Sequence, residues 1–249
     1  MLLDTLQLGS VALFYVIAAV FVAYTLKGVS GFGAGLMAIP LLAMVMPLAV
    51  CVPAVSLLSY GGNIAQSVAL HRNTAWRELW PLAPFSLMGV GIAVWLLSNV
   101  DSRQLALALG VFVMLYSLNS LLPTPQWKGS RGWAAPIGCL GGLIGALFGS
   151  GGFIYVVYLK LRDLDKDRFR ASVATTLFFD GTFRLGGYAS AGLYSEQSLT
   201  LTAVGLPVML IALFAGHCLQ KHISTNRFYR LISVMLFICS VLLIGKSLA

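Results

Sequence analysis

The sequence predicts an all-α polytopic membrane protein, built as two inverted repeats of about five hydrophobic segments each, with glycine-broken or re-entrant helices. Three observations carry that prediction: composition, the continuity of the apolar runs, and the placement of positive charge. Of 249 residues, 59% are hydrophobic and 10% charged, where an ordinary soluble domain has roughly 25% charged residues. Such a chain has too few polar side chains to cover a water-facing surface, and it is too apolar to remain disordered. Its apolar runs are continuous, whereas a transmembrane barrel would alternate.

A spanning helix needs about 20 apolar residues. In chain order, apolar segments lie near 9–27, 31–46, 49–70, 78–98 and 103–122. A polar stretch, Pro123-Thr-Pro-Gln-Trp-Lys-Gly-Ser-Arg131, follows, and then segments near 133–149, 150–160, 171–189, 199–218 and 228–247. The whole chain, 1–249, reads as a single membrane domain, with repeat halves 9–122 and 133–247 joined by the linker 123–132. The second and seventh segments are short, and each opens on a glycine cluster. The N-terminal residues carry Asp4 and no basic region, so no cleaved signal peptide is expected. Trp76, Trp80, Trp127 and Trp133 flank segment ends, as interfacial anchors do.

With the N-terminus outside and each segment reversing direction, the loops near 71–77, 123–132, 160–170 and 219–230 share one face. They hold 12 of the 16 Lys and Arg residues, while the opposite face receives only Arg103 and Lys246. This asymmetry marks the first face as cytoplasmic. It also explains the net charge of +8 without a nucleic-acid partner. The bilayer is the expected partner, in a bacterial inner or plasma membrane crossed many times; the oligomeric state stays open. The four cysteines, Cys51, Cys139, Cys218 and Cys239, stand singly in apolar segments. That spacing fits helix packing and offers neither a disulfide framework nor a metal site, and no cofactor is expected.

The two halves resemble each other. Phe32-Gly33-Ala34-Gly35 falls on Phe148-Gly149-Ser150-Gly151, Pro84 falls on Pro207, and Asn99–Gln104 falls on His222–Arg227. With five segments per half, the second half enters from the opposite side, an arrangement many secondary transporters use.

The chemistry concentrates in two places. The first is Gly28-Val-Ser-Gly-Phe-Gly-Ala-Gly35 with its partner run Gly141–Gly152. Each glycine weakens a helix by about 1 kcal/mol relative to alanine, so the helices break there. A helix broken at membrane depth needs protein or a wet cavity to satisfy its backbone. Its free N–H groups and the positive end of the following helix suit an anion. Ser30, Gly31, Gly33, Gly35, Gly149, Ser150, Gly151 and Gly152 are therefore candidate substrate-binding residues; close packing of small residues is the competing explanation. The second place is Asp180 and Arg184, one helical turn apart and about 15 and 21 Å beyond Arg170 along a helix. Intramembrane charges are costly and mark function by default. Arg184 is a candidate anion ligand and Asp180 a candidate proton carrier, against the alternative of a structural ion pair. Asn63 and Gln66, at corresponding positions of the first half, either donate hydrogen bonds to an oxyanion or cross-link helices. Lys27 is either a snorkelling interfacial lysine or a cation at a cavity mouth.

Gly31-Phe-Gly-Ala-Gly-Leu-Met-Ala-Ile-Pro40, with its second copy at Gly149-Ser-Gly-Gly152, resembles the glycine-rich motif of the TauE/SafE family of sulfite-exporter-like permeases. The second copy departs in carrying Val156 where the first has Pro40. The likeness covers essentially the whole chain. It implies a secondary transporter, with export of a small anion such as sulfite or an organosulfonate as the expected activity. An anion channel, or an uptake permease for another small organic anion, is the alternative. An intramembrane enzyme is not expected: Ser150 has no histidine at its depth, and Asp180 has no second membrane aspartate for a dyad.

Overall fold

In a computed structural model of the chain, residues 9–30, 33–120, 130–149, 151–162, 164–219 and 225–248 are described. Among them ten longer helices form and no strand does. The helices are α1 (Ser10–Ser30), α2 (Ala34–Ala43), α3 (Leu48–Leu70), α4 (Leu82–Asn99), α5 (Ser102–Ser120), α6 (Ala134–Phe148), α7 (Gly152–Leu161), α8 (Lys166–Ser190), α9 (Glu196–Leu219) and α10 (Thr225–Leu248). Each expected apolar segment carries one of them. Two boundaries differ from expectation. The 78–98 segment is split into a single turn, Trp76–Leu79, and α4. The expected loop 160–170 is helical from Lys166. Asp165 caps α8 there, its carboxylate accepting from the Arg168 N–H at 2.8 Å, which satisfies one of the open donors of the first turn.

The helix surfaces are those of a membrane protein. On α9 the buried face is Ser198, Leu201, Gly205, Met209, Ala212 and Gly216, while Leu206, Leu210, Ile211 and Phe214 are exposed. On α4, Ser86, Gly89 and Ala93 are buried, and Leu87, Met88, Ile92 and Trp95 are exposed. In water this distribution is inverted. In lipid it is the expected one: small residues let backbones approach, and large apolar side chains face the acyl chains. Four helical stretches among the described residues are long and apolar enough to cross a bilayer: Val11–Val29, Leu82–Asn99, Arg131–Phe148 and Glu196–Leu219.

Both glycine clusters break the chain. Gly33, directly before α2, has φ 89, and Gly149, directly after α6, has φ 65. Both lie in the left-handed region, which a Cβ disfavours. These two residues are the pair that the repeat alignment superposes. After each break the chain folds back. The Tyr15 hydroxyl of α1 donates to Leu41 O, near the far end of α2, at 3.1 Å. Gly151 packs against Gly141 and Gly145, and Tyr155 packs against Gly141, so α7 runs back along α6. At 10 residues each, α2 and α7 span about 15 Å, half of a roughly 30 Å hydrocarbon core.

The chain forms two compact units. The first contains α1, α2, the opening turns of α3, α5, α9 and α10; the second contains the rest of α3, α4, α6, α7 and α8. In the first, α1 pairs with α2 and with α9, where Gly28 meets Gly216, and α5 pairs with α10. In the second, α6 pairs with α7, and its Gly142 lies directly on the Ser86 carbonyl of α4. Each unit thus mixes helices from both halves of the sequence.

Candidate functional site

The second unit encloses a buried polar network. Asp180 and Arg184, both buried, sit mid-way along α8 with the Arg184 Nε 3.0 Å from Asp180 Oδ2. The other carboxylate oxygen, Oδ1, accepts from the Tyr155 hydroxyl of α7 at 2.8 Å and from the Ser86 hydroxyl of α4 at 3.1 Å. The Ser86 and Tyr155 hydroxyls are also 2.8 Å apart. A buried charge is tolerable only when paired and hydrogen-bonded, and three helices converge on Asp180 to do this. Beside Ser86, Thr176 and Asp180 is a space of about 20 Å³, walled by Leu82, Phe179 and Phe183. It has room for about one water molecule and no larger anion.

Arg184 does a second thing. Its Nη1 donates to Gly145 O at 2.9 Å, and the Tyr188 hydroxyl, one turn further on, donates to Ala146 O. Both carbonyls belong to the last turn of α6; Gly145 O also accepts the Gly149 N–H at 2.9 Å, so the arginine uses its second lone pair. A cation there also meets the negative end of the helix dipole. Gly145 is the point of close approach, since a Cβ on it would lie 3.2 Å from Asp180 Oδ2 and 3.3 Å from Gly151 Cα. The acid, the arginine and the glycine turn between α6 and α7 therefore share one spot.

The described candidates Gly151 and Gly152 of the second half, and Asn63 of the first, lie in this unit. Gly151 is buried against α6, Gly152 faces the Leu177 side chain, and Asn63 is buried with its Nδ2 3.5 Å from Leu177 O. For Gly151 and Asn63 this geometry is that of packing and helix cross-linking. Gly33 and Gly35, the latter buried in α2, belong to the first unit. Gly31 and Ser150 lie outside the described residues, as do the side chains of Ser30 and Gln66. Lys27 is buried in the last turn of α1, so it is not a surface snorkeller. No cluster of metal-ligating side chains occurs among the described residues, and their cysteines are free thiols.

Sequence reasoning missed Tyr155 and Ser86, and it missed a second cluster altogether. Glu78, 7% exposed, sits in the turn Trp76–Leu79. Its carboxylate receives Arg162 Nε at 2.7 Å, Arg131 Nη2 at 3.0 Å and the Tyr158 hydroxyl at 3.2 Å. Burial pushes its pKa up, but the hydrogen bonds and charges of Arg162 and Arg131 outweigh burial and hold it below the ordinary glutamate value. Nearby, the Ala75 N–H donates to Ser172 Oγ at 2.9 Å, and the Thr74 and Thr175 hydroxyls are 2.9 Å apart. Arg131 and Arg162 come from two connections that charge counting assigns to one membrane face, and Glu78 follows directly on a third, 71–77. An acidic residue opening an apolar segment directly after a short basic loop was the available signal.

Comparison with known proteins adds to this geometry. The sulfite exporter TauE/SafE family matches residues 16–243. The chain is 23% identical over 168 residues to a protein named probable inner membrane transporter protein TsaS, from Comamonas testosteroni; the match covers 66% of this chain and 70% of that protein. No solved structure matches.

Proposed function

Since the chain belongs to the sulfite exporter TauE/SafE family, we propose that it is a secondary transporter that exports sulfite or an organosulfonate across a bacterial inner membrane. That it is an integral membrane transporter and not an enzyme follows from the family itself. The anion binds near mid-membrane at the glycine-broken helices, with Arg184 as its cationic ligand and Asp180 as the group that takes up a proton. The observation that carries this reading is the meeting of Asp180, Arg184 and Gly145 at the α6–α7 turn. A buried charge pair placed against a helix break costs desolvation energy that a well-packed apolar pair would avoid, which favours a working role. The Nε–Oδ2 contact is short, yet its Nε–H is not aligned for a hydrogen bond. An oxyanion arriving at Arg184 exchanges this contact for directed ones. Sharing the arginine then makes Asp180 easier to protonate. On this reading the space beside the pair, about 20 Å³, enlarges when the anion enters.

The inverted duplication belongs to the same reading. Gly33 and Gly149 share the left-handed conformation at aligned positions. The pairing of α1 with α2 and α9 corresponds, under the alignment, to the pairing of α6 with α7 and α4. Uptake of labelled sulfite by proteoliposomes under an imposed pH gradient tests the proposal. Saturable, gradient-sensitive flux supports it; unsaturating conductance points to a channel, and absence of sulfite or sulfonate flux overturns it.

A further inference from the structure

We propose a second oxyanion site in the first unit, at the cavity between the end of α2, the start of α5 and the end of α10. The cavity holds about 270 Å³ and is lined by Arg103 and Lys246, with Ser102, Ala106, Met46 and Pro47 among its other walls. Two of its lining residues are cations and none is acidic; Asp101, next to Ser102 in the chain, is exposed and does not line it. These two are also the cations that charge counting leaves on the face opposite the basic loops.

Each cation has one structural task. Lys246 Nζ donates to Met44 O at 2.8 Å and Ala43 O at 3.3 Å, at the end of α2. Arg103 Nε donates to Ser247 O at 2.7 Å, at the end of α10. Helix C-termini favour cations in this way. That task leaves both terminal NH₂ groups of Arg103 and one Lys246 N–H uncommitted among the described residues, and neither cation has an ion-pair partner there. A guanidinium held by its Nε presents a terminal edge suited to two oxygens of one oxyanion. Two like charges around one cavity repel each other, and a bound anion relieves that repulsion while leaving both helix caps in place. The ligand chemistry is a single tetrahedral or pyramidal oxyanion group, carried either by a free phosphate or sulfonate or by an anionic lipid headgroup. The site stands apart from Arg184 and does not rest on the proposed transport reaction.

The test reads Lys246 itself. The purified full chain, in detergent with zwitterionic lipid only, is acylated with a small amine reagent, and the rate at Lys246 is followed by peptide mass spectrometry. Inorganic phosphate, methanesulfonate and short-chain phosphatidylglycerol are titrated separately, with short-chain phosphatidylcholine as control. A specific ligand slows the reaction by one plus its concentration over Kd, about tenfold at ten times Kd. Saturable protection by phosphate or methanesulfonate identifies a free oxyanion; protection by phosphatidylglycerol alone identifies a headgroup. Arg103→Gln must abolish the protection. So must Ala106→Phe, which fills the cavity and keeps both cations, and which serves if the first variant does not fold. No protection, equal protection by phosphatidylcholine, or protection unchanged in a folded variant overturns the proposal.

Discussion

Arg184 is held by a carboxylate and by a helix-end carbonyl, and the two contacts make different predictions. Removing the charge in Arg184→Gln strands Asp180 with only the Tyr155 and Ser86 hydroxyls. Loss of one partner of a buried pair costs about 3–5 kcal/mol, so a large fall in the thermal midpoint is expected together with loss of anion binding. Asp180→Asn keeps an oxygen for both hydroxyls but takes the counter-charge from Arg184, so it too costs about 3–5 kcal/mol of stability. It is expected to retain binding, measured by equilibrium dialysis of labelled sulfite, and to lose the dependence of flux on the pH gradient. Glu78 gives a pH prediction. Its carboxyl is held below its ordinary value, so its stabilisation is complete above the unfolded-state pKa and is lost as pH falls through the lower folded one. The thermal midpoint should therefore drop below about pH 4.5, and Glu78→Gln should be lower at neutral pH and flatter in acid. The i,i+4 pairing of Asp180 with Arg184 was readable from spacing alone. Tyr155 and Ser86 were not, because they lie on other helices and their relevance depends on which faces meet.

At the level of elements, the glycines separate into two physical kinds. Gly33 has a left-handed φ and open space where a Cβ would go, whereas Gly151 has an ordinary helical φ and the α6 backbone against it. Gly33→Ala should cost about 1 kcal/mol from backbone strain alone. Gly151→Ala should cost more, about 3 kcal/mol, because the α6–α7 hairpin must splay. Thermal midpoints of the two purified variants check the order, and equal losses would contradict the assignment. All ten helices were legible as apolar segments, since lipid leaves hydropathy as the dominant signal. The early start of α8 at Lys166 was not, because a polar run carries no hydropathy signal and the Asp165 cap decided it. Sequence also left open whether each glycine served a turn or a packing contact, which depends on φ and on the neighbouring helix.

At the level of the whole molecule, charge counting places Arg131 and Arg162 in loops of one face, and the fold brings both to the Glu78 carboxylate. In a background without native cysteines, Asn73→Cys and Asp165→Cys should resist an impermeant thiol reagent added outside intact cells, while Asp101→Cys should react. The reverse pattern would invert the orientation. The division into two units that mix helices from both halves could not be read from the chain, because contiguous apolar segments do not disclose which of them pair in space. The central claim is that the Asp180–Arg184 pair couples an anion to a proton, and the Asp180→Asn, Arg184→Gln double variant tests it most directly. The double variant removes both charges, so a purely structural pair would be replaced without an orphaned partner. Labelled sulfite flux into proteoliposomes is measured under a fixed pH gradient, at equal amounts of folded protein. The account predicts that the double variant folds and shows no gradient-driven flux; recovery of full gradient-driven transport would contradict it.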